Sequence, residues 1–240
     1  MSAILETRGL TRHFRGLIAN QEIDFTLRGG EIRAVIGPNG AGKTTFLSMI
    51  SGHLRPSAGR VVYKGADITE RSVVQRARLG IARKFQTPTV FDNLTVYRNV
   101  ELAVLRTDTR RDQRNGHIFS VLRRVRLEEE AEVPAQFLSH GQRQWLEIGL
   151  LVALRSELLL LDEPTAGMTA EETAATGELV TMLARDMKLS VIIIEHDINF
   201  IRNLRAPVTV LHLGRILKEG SFDEVAEDER VREVYLGTGS

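Results

Sequence analysis

The segment from residue 37 to residue 45 constrains the fold more than any other part of the chain. Its sequence is Gly37-Pro38-Asn39-Gly40-Ala41-Gly42-Lys43-Thr44-Thr45. The apolar stretch Ile32–Ile36, broken only by Arg33, precedes it and predicts a strand, and apolar residues at helical spacing follow it. A glycine-rich loop between a strand and a helix is the context in which this motif binds phosphate. The sequence therefore predicts an α/β fold with a nucleotide site at this loop.

The residue types in this loop each have a chemical reason to be there. Glycines let backbone N–H groups turn towards phosphate oxygens, and the N-terminus of the following helix adds partial positive charge. Lys43 is placed to reach the β- and γ-phosphates, and the Thr44 hydroxyl is placed to hold Mg²⁺. We therefore expect the chain to bind a nucleotide together with Mg²⁺.

The composition predicts the size of the domain and argues against several classes of protein and partner. The 240 residues, 42% of them hydrophobic, suffice for one large α/β domain with a subdomain. No apolar run approaches the ~20 residues that span a bilayer, Met1–Gly9 lacks the pattern of an export signal, and the absence of cysteine excludes disulfides and thiolate metal sites. A net charge of +1 and a pI of about 8.1 argue against nucleic acid as the main partner, since such domains usually have a pI above ~9.

Strand patterns occupy both ends of the chain, and helical patterns occupy its middle. Strands are predicted at Ala3–Arg8, Glu22–Leu27, Ile32–Ile36, Arg60–Tyr63, Ile81–Phe85, Leu158–Leu161 and Val191–Ile194, with a closing hairpin of Val208–Leu213 and Arg215–Lys218. The patterns between residues 86 and 155 predict helices at Thr95–Arg106, Ile118–Leu127 and about 139–154. This interruption predicts an inserted helical subdomain (86–155), with residues 1–85 and 156–240 forming the catalytic core.

Polar side chains follow two of the predicted buried strands. Four consecutive leucines, Leu158–Leu161, are typical of a strand buried on both faces, and they run into Asp162 and Glu163. Because open α/β sheets bind ligands beyond the carboxyl ends of their strands, we expect these two carboxylates at a ligand site. Val191–Ile194 similarly precedes His196, although an isolated histidine is more often a hydrogen-bonded core residue than a functional one.

Two other features leave alternatives open on the residues alone. Phe14, upstream of the phosphate loop, either stacks on an adenine or packs in the core. The basic segment Thr107–Gly116 is either a solvated loop, the commoner case, or a surface for a partner. Helix starts are clearer: Ser139 is a predicted N-cap, and Thr169 to Glu172 and Ser221 to Glu224 fit capping boxes.

Five separate elements occur in a characteristic order: the phosphate loop, Gln86, the Leu-Ser-His-Gly-Gln segment at 138–142, Asp162-Glu163, and His196. Together they resemble the ATP-binding subunit of an ABC transporter, and the resemblance covers essentially the whole chain. It implies a P-loop NTPase core with an antiparallel β subdomain and an inserted α-helical subdomain. It also implies that two chains, identical or close paralogues, sandwich two ATP molecules head to tail.

The resemblance assigns a role to each matching residue. Asp162, Thr44 and Gln86 would hold Mg²⁺, Glu163 would polarise the attacking water, and His196 would donate a hydrogen bond to the γ-phosphate. Gln86 would also contact the water and report the nucleotide state to a membrane partner. The remaining matches would bind ATP: Phe14 would stack on adenine, and Ser139, Gly141 and Gln142 would complete the site of the opposite protomer.

Two positions depart from the family pattern. His140 stands where the signature segment usually has its second glycine, and this position varies among members. Thr169 stands where an aspartate commonly follows the strand with Asp162, and it cannot make that carboxylate's contacts across the dimer. The Thr169 departure concerns communication between the two sites rather than hydrolysis, because Glu163 is intact.

Within the family, the segments at 84–91, 139–142, 167–169 and 234–237 most resemble the hydrophobic-amino-acid uptake branch, and in it the urea transporter's ATP-binding subunit. The resemblance implies a peripheral subunit on the cytoplasmic face of the inner membrane. Its partners would be transmembrane permeases and, indirectly, a periplasmic substrate-binding protein, for urea, short-chain amides or branched-chain amino acids. The alternatives are the ATPase of a lipopolysaccharide or lipid exporter and a soluble ABC-type ATPase acting on nucleic acid or ribosomes.

Overall fold

A mostly parallel sheet of six strands forms the centre of the molecule. The computed structural model describes residues 2–84 and 90–236. The strands lie in the order β10-β9-β3-β8-β7-β6, and only β10 runs antiparallel to its neighbour. Their bounds are β3 Ile32–Ile36, β6 Ile81–Lys84, β7 Leu158–Asp162, β8 Ser190–Ile194, β9 Val208–His212 and β10 Arg215–Gly220. This sheet and its helices confirm the predicted ABC ATPase fold.

A second, antiparallel sheet lies beside the first, in the order β2-β1-β4-β5. Its strands are β1 Ala3–Phe14, β2 Leu17–Arg28, β4 Ala58–Tyr63 and the short β5 Ala66–Asp67. The predicted strands Ala3–Arg8 and Glu22–Leu27 were too short, because β1 and β2 form one long hairpin whose register shifts at several bulges. A bulge moves side chains to the other face of the sheet and interrupts the alternation that sequence reasoning relies on.

The remaining elements are helical. They are α1 Lys43–Ser51, α2 Val73–Arg78, α3 Val96–Val104, α4 Arg114–Arg124, α5 His140–Ala153, α6 Ala170–Met187, α7 Ile198–Leu204, α8 Phe222–Glu227 and α9 Glu229–Leu236, with single 3₁₀ turns at Arg111–Gln113 and Ala135–Phe137. Among the described residues, no helix is long and apolar enough to cross a membrane.

The start of α4 corrects one sequence prediction. The basic segment to Gly116 was expected to be a loop with a helix only from Ile118, but α4 begins at Arg114 and passes through Gly116. Glycine disfavours helix only by about 1 kcal/mol relative to alanine, which tertiary packing easily outweighs. The helix also ends before the expected Leu127, because Arg126 adopts a left-handed backbone at φ +59°.

Alternate residues of the central strands enter two different cores. Leu159 and Leu161 of β7 pack with the helices of the 90–155 region, whereas Leu158 and Leu160 pack with the antiparallel sheet and α1. This confirms the expected burial of the four leucines on both faces. The subdomain boundary predicted at residue 86 lies outside the described residues, so the division of the chain stays a prediction.

A buried arginine fixes the C-terminal end of α1. Arg76, 1% exposed, donates hydrogen bonds to the carbonyls of Met49 and Ile50, both at 2.7 Å, and to Thr69 O and Arg71 O. Burial lowers the pKa of Arg76 to about 10. Because α1 carries the phosphate loop at its other end, Arg76 helps to hold that loop in place.

Candidate nucleotide-hydrolysis site

The phosphate loop joins β3 to α1, and its glycines are required by close backbone contacts. Gly42 caps α1 with φ +96°, and a Cβ there would lie 2.3 Å from Ala19 O. A Cβ on Gly37 would lie 2.1 Å from Leu211 O. Neither position has room for a side chain, which explains the glycines physically. Between Gly37 and Gly42, or directly after Lys43, lie the other loop residues: Pro38, Asn39, Gly40, Ala41, Thr44 and Thr45.

Lys43 lies folded against its own loop. Its Nζ donates to Gly37 O at 2.6 Å and to Pro38 O at 3.0 Å, and the residue is 7% exposed. Burial lowers the pKa of Lys43, and the nearby charges of Glu163 and Asp162 oppose that shift. The structure therefore brings the loop lysine and the two carboxylates into one electrostatic environment.

Asp162 ends β7 and is 1% exposed. Its Oδ2 accepts a hydrogen bond from Arg83 Nη2 at 2.9 Å, and Arg83 also donates to Ser48 Oγ of α1 at 2.8 Å. Asp162 Oδ1 is buried without a hydrogen-bond partner among the described residues. A buried carboxylate oxygen that accepts no hydrogen bond is suited to bind a metal ion, and carboxylate oxygens are ligands that Mg²⁺ prefers. The residues at this position therefore fit Mg²⁺.

Glu163 and His196 meet at the ends of β7 and β8. His196 Nε2 lies 3.1 Å from Glu163 Oε1, and both side chains are partly exposed. Glu163 has a left-handed backbone, φ +50°, and its N–H donates to Ile194 O at 2.9 Å. A non-glycine residue at positive φ is uncommon and often marks a functional position.

Two further residues support this site, and sequence reasoning missed both. Glu195, 4% exposed, accepts from Thr165 N and Oγ1 at 2.8 and 2.7 Å and so holds the turn after Glu163. Arg83 holds Asp162. The only sequence signal for either is a charged residue in or directly after a short buried strand.

Phe14 lies at the end of β1 and is 40% exposed. The guanidinium of Arg12 lies 4.6 Å from the centre of its ring. The ring is therefore not in the core, and its stacking on adenine stays a prediction.

The signature segment starts α5. Ser139 Oγ accepts from Gln142 N at 3.2 Å, while Ser139 N donates to Gln142 Oε1 at 3.0 Å, which confirms the predicted N-cap. Ser139 is exposed, Gly141 is buried, and Gln142 Nε2 donates to Glu130. Among the described residues, no hydrogen bond joins Ser139 or Gln142 to the phosphate loop. Gln86, the remaining predicted site residue, lies outside the described residues.

This fold and this arrangement of residues define an ABC-type ATPase. The sequence matches the family described as ABC transporter over residues 20–166, and the family described as branched-chain amino acid ATP-binding cassette transporter over residues 216–240. The chain belongs to the ABC transporter family and is the ATPase subunit of a transporter.

The chain is similar to individual members of this family along nearly its whole length. The chain is 32% identical to the probable branched-chain amino acid transport ATP-binding protein LivG of Archaeoglobus fulgidus, covering 98% of this chain and 95% of that protein. It is also 32% identical to the lipopolysaccharide export system ATP-binding protein LptB of Acidithiobacillus ferridurans, covering 99% of this chain and 98% of that protein. Among solved structures, the ADP conformation of MJ1267, an ATP-binding cassette of an ABC transporter, superposes with a TM-score of 0.89 at 26% identity, covering 99% and 100%.

Proposed function

We propose that this chain is the motor subunit of a bacterial ABC importer, in which ATP binding closes a head-to-tail dimer and hydrolysis reopens it. Hydrolysis in this proposal rests on the pairing of Glu163 with His196 at 3.1 Å, beside the buried Asp162 and the lysine of the phosphate loop. Import rests on the match of residues 216–240 to the branched-chain amino acid ATP-binding cassette transporter family. The family supports ATP as the nucleotide.

Each residue then has a defined task. The backbone of residues 37–45 binds the phosphates, and Lys43 exchanges its loop carbonyls for the β- and γ-phosphate oxygens. Glu163 orients and polarises the attacking water. His196 Nε2, which lies 3.1 Å from Glu163 Oε1, exchanges that carboxylate for the γ-phosphate and donates to it as negative charge develops there.

The metal ligands in this proposal are Asp162, the Thr44 hydroxyl and Gln86. The geometry supports Asp162 Oδ1 as the ligand atom, because Oδ2 already accepts a hydrogen bond from Arg83. Mg²⁺, when bound, neutralises charge on the β- and γ-phosphates.

The site is completed across a dimer in this proposal. Ser139, Gly141 and Gln142 contact the ATP of the opposite protomer, which suits an exposed Ser139 with no hydrogen bond to its own phosphate loop in the described part of the chain. Phe14 stacks on the adenine of its own site. The partner is a second copy or a close paralogue.

The partners and location follow the transporter class. Transmembrane permease subunits bind this chain at the cytoplasmic face of the inner membrane, a periplasmic binding protein delivers the solute, and nucleic acid has no part. Branched-chain amino acids are the solutes named for several relatives. Urea or short-chain amides rest on the resemblance of the chain's motifs alone.

Export is a second candidate, because an LptB relative is as similar as the LivG relatives. Co-purification separates the two: an importer subunit binds permeases that work with a periplasmic binding protein, whereas an exporter subunit binds permeases of an envelope lipid pathway.

The direct test of the proposed hydrolysis chemistry is Glu163→Gln. This change keeps the size of the side chain but removes the base, so we expect turnover to fall by ~10²-fold or more while ATP binding stays nearly intact. The trapped ATP should hold two protomers together in size-exclusion chromatography. Hydrolysis at the wild-type rate would show that Glu163 is not the base.

A further inference from the structure

The two departures from the family pattern, His140 and Thr169, belong to one network of contacts. His140 is the first residue of α5, directly after the signature serine Ser139. Thr169 is the N-cap of α6 and ends the turn that follows Glu163. The network joins the start of α5 to the start of α6 within one chain, and its contacts have no part in the proposed ATP binding and hydrolysis.

The carboxylate of Glu172 serves the N-termini of two helices. Its Oε2 accepts from Thr169 N at 3.0 Å and from Thr169 Oγ1 at 3.3 Å, which closes the capping box of α6. Its Oε1 accepts from Gly141 N of α5 at 3.2 Å. Hydrogen bonds from the backbone, first that of Thr169, lower the pKa of Glu172, so the group is charged at neutral pH.

The His140 side chain makes a second connection between the same two places. Its Nε2 lies 2.8 Å from Ala166 O, and because a carbonyl can only accept, Nε2 carries the proton. Ala166 N in turn donates to Glu163 O at 3.3 Å. A glycine at position 140 would leave this turn without that contact.

A third connection lies one helical turn further along. Trp145 Nε1 of α5 donates to Thr176 Oγ1 of α6 at 2.9 Å, and Thr176 Oγ1 also lies 2.8 Å from Glu172 O. The N-terminal halves of α5 and α6 are therefore held together at successive points, next to Ser139 on one side and Glu163 on the other.

We infer that Glu172, assisted by His140, couples the Glu163 of each chain to the Ser139 that the same chain presents to its partner's ATP. Displacement of the turn after Glu163 is transmitted through Glu172 and His140 to the start of α5, and so to the opposite site. Glu172 is a positioning residue, since it acts through Ser139 and Glu163. This inference rests on the proposed head-to-tail dimer.

The chain contains a matched control for Glu172. Glu224 closes the same kind of capping box at α8, accepting from Ser221 N at 2.7 Å and Ser221 Oγ at 2.8 Å. Its box lies at one helix N-terminus, and among the described residues no hydrogen bond or ion pair joins it to α5 or α6. Glu224→Ala should lose its capping-box contact and lower the Tm by about 2–4 °C, and Glu172→Ala, which also loses the bond from Gly141 N, should lower the Tm at least as far.

The experiment compares these variants in ATP-driven association. In the Glu163→Gln background, we expect Glu172→Ala to raise the ATP concentration needed for half-maximal dimerisation by at least ~5-fold, the lower end of typical site-to-site coupling. Glu224→Ala should leave that concentration unchanged. With Glu163 restored, the Hill coefficient of ATP hydrolysis should fall towards about 1 for Glu172→Ala alone.

The outcomes separate the inference from the function it rests on. If the Glu163→Gln protein does not dimerise with ATP, the head-to-tail dimer fails and the inference fails with it. If it dimerises and Glu172→Ala behaves like Glu224→Ala, the inference alone is overturned. Should Glu172→Ala not fold, His140→Gly tests the same coupling, because it removes the Ala166 contact and leaves both capping boxes in place; unchanged dimerisation there would also overturn the inference.

Discussion

The charged groups of this site differ in how deeply they are buried and in which partners they have. Asp162 can present only one free oxygen, since Arg83 holds the other, and Lys43 is bonded to its own loop. Glu163 keeps a partly exposed carboxylate beside His196, which suits a group that must reach a water molecule. The three charges therefore have different environments, and each environment matches a different task.

Phe14 gives a prediction at this scale. Phe14→Ala should weaken ATP binding by about 1–3 kcal/mol, the range for stacking of a base on an aromatic ring, because the adenine then loses the partly exposed ring on which it is proposed to stack. Isothermal titration calorimetry measures this change. Phe91→Ala is the control, since Phe91 is likewise exposed, at 60%, and its backbone is hydrogen-bonded to Asn99 of α3. Unchanged affinity with a lower Tm would return Phe14 to a structural role.

Residues inside short motifs carry local signals in the sequence, whereas Arg83 and Glu195 carry almost none. The phosphate loop, Ser139 and Asp162-Glu163 carry local signals of spacing and context. Arg83 and Glu195 have their effect through contacts with residues far away in the chain, at 79 and 30 positions' separation. No local pattern encodes such partners, because the fold alone brings them together.

At the scale of elements, strand and helix identity followed from periodicity, whereas lengths depended on tertiary contacts. The buried strands β3, β7 and β8 are short apolar runs and were found nearly to the residue. The β1–β2 hairpin was underestimated because its bulges break the alternation, and β5, two residues long, carries no period at all. Capping boxes located the starts of α6 and α8 because they are local hydrogen-bond patterns.

A buried ion pair between β6 and α5 gives the prediction at this scale. Lys84 Nζ lies 3.2 Å from Glu147 Oε2, and each side chain is 3% exposed. Lys84→Met should lower the free energy of unfolding by about 3–5 kcal/mol, because Glu147 then loses a buried partner. Replacing both, with Lys84→Met and Glu147→Leu, should recover most of that loss. Urea denaturation measures each value.

The exposed pair of Lys64 and Glu157, 2.6 Å apart, is the control for this experiment. Lys64→Met should change the free energy of unfolding by less than about 1 kcal/mol, since solvent screens exposed pairs. A double variant of the buried pair that is no more stable than Lys84→Met would contradict the account and give Glu147 a separate structural role.

At the scale of the whole molecule, the proposed function gives one chain two halves of different sites. The phosphate loop, Asp162, Glu163 and His196 form one group, held together by contacts and charge. Ser139 is the exposed N-cap of α5, and its neighbours His140 and Gly141 are hydrogen-bonded to Ala166 and Glu172, in and just after the turn that follows Glu163. In the proposed dimer, a single chain presents a binding half and a completing half, and a head-to-tail pair unites them twice.

Mixing two inactive variants tests this central claim most directly. Lys43→Ala removes the charge from a chain's own phosphate site, and Ser139→Arg places a bulky cation where the partner's γ-phosphate must bind. Each variant alone should be almost inactive. In a mixed dimer both changes fall on one composite site, so the other site is wholly wild type, and the mixture should hydrolyse ATP at a rate that neither variant reaches alone. Full activity of the Ser139→Arg protein by itself would contradict the account, because the signature segment would then have no part in the site.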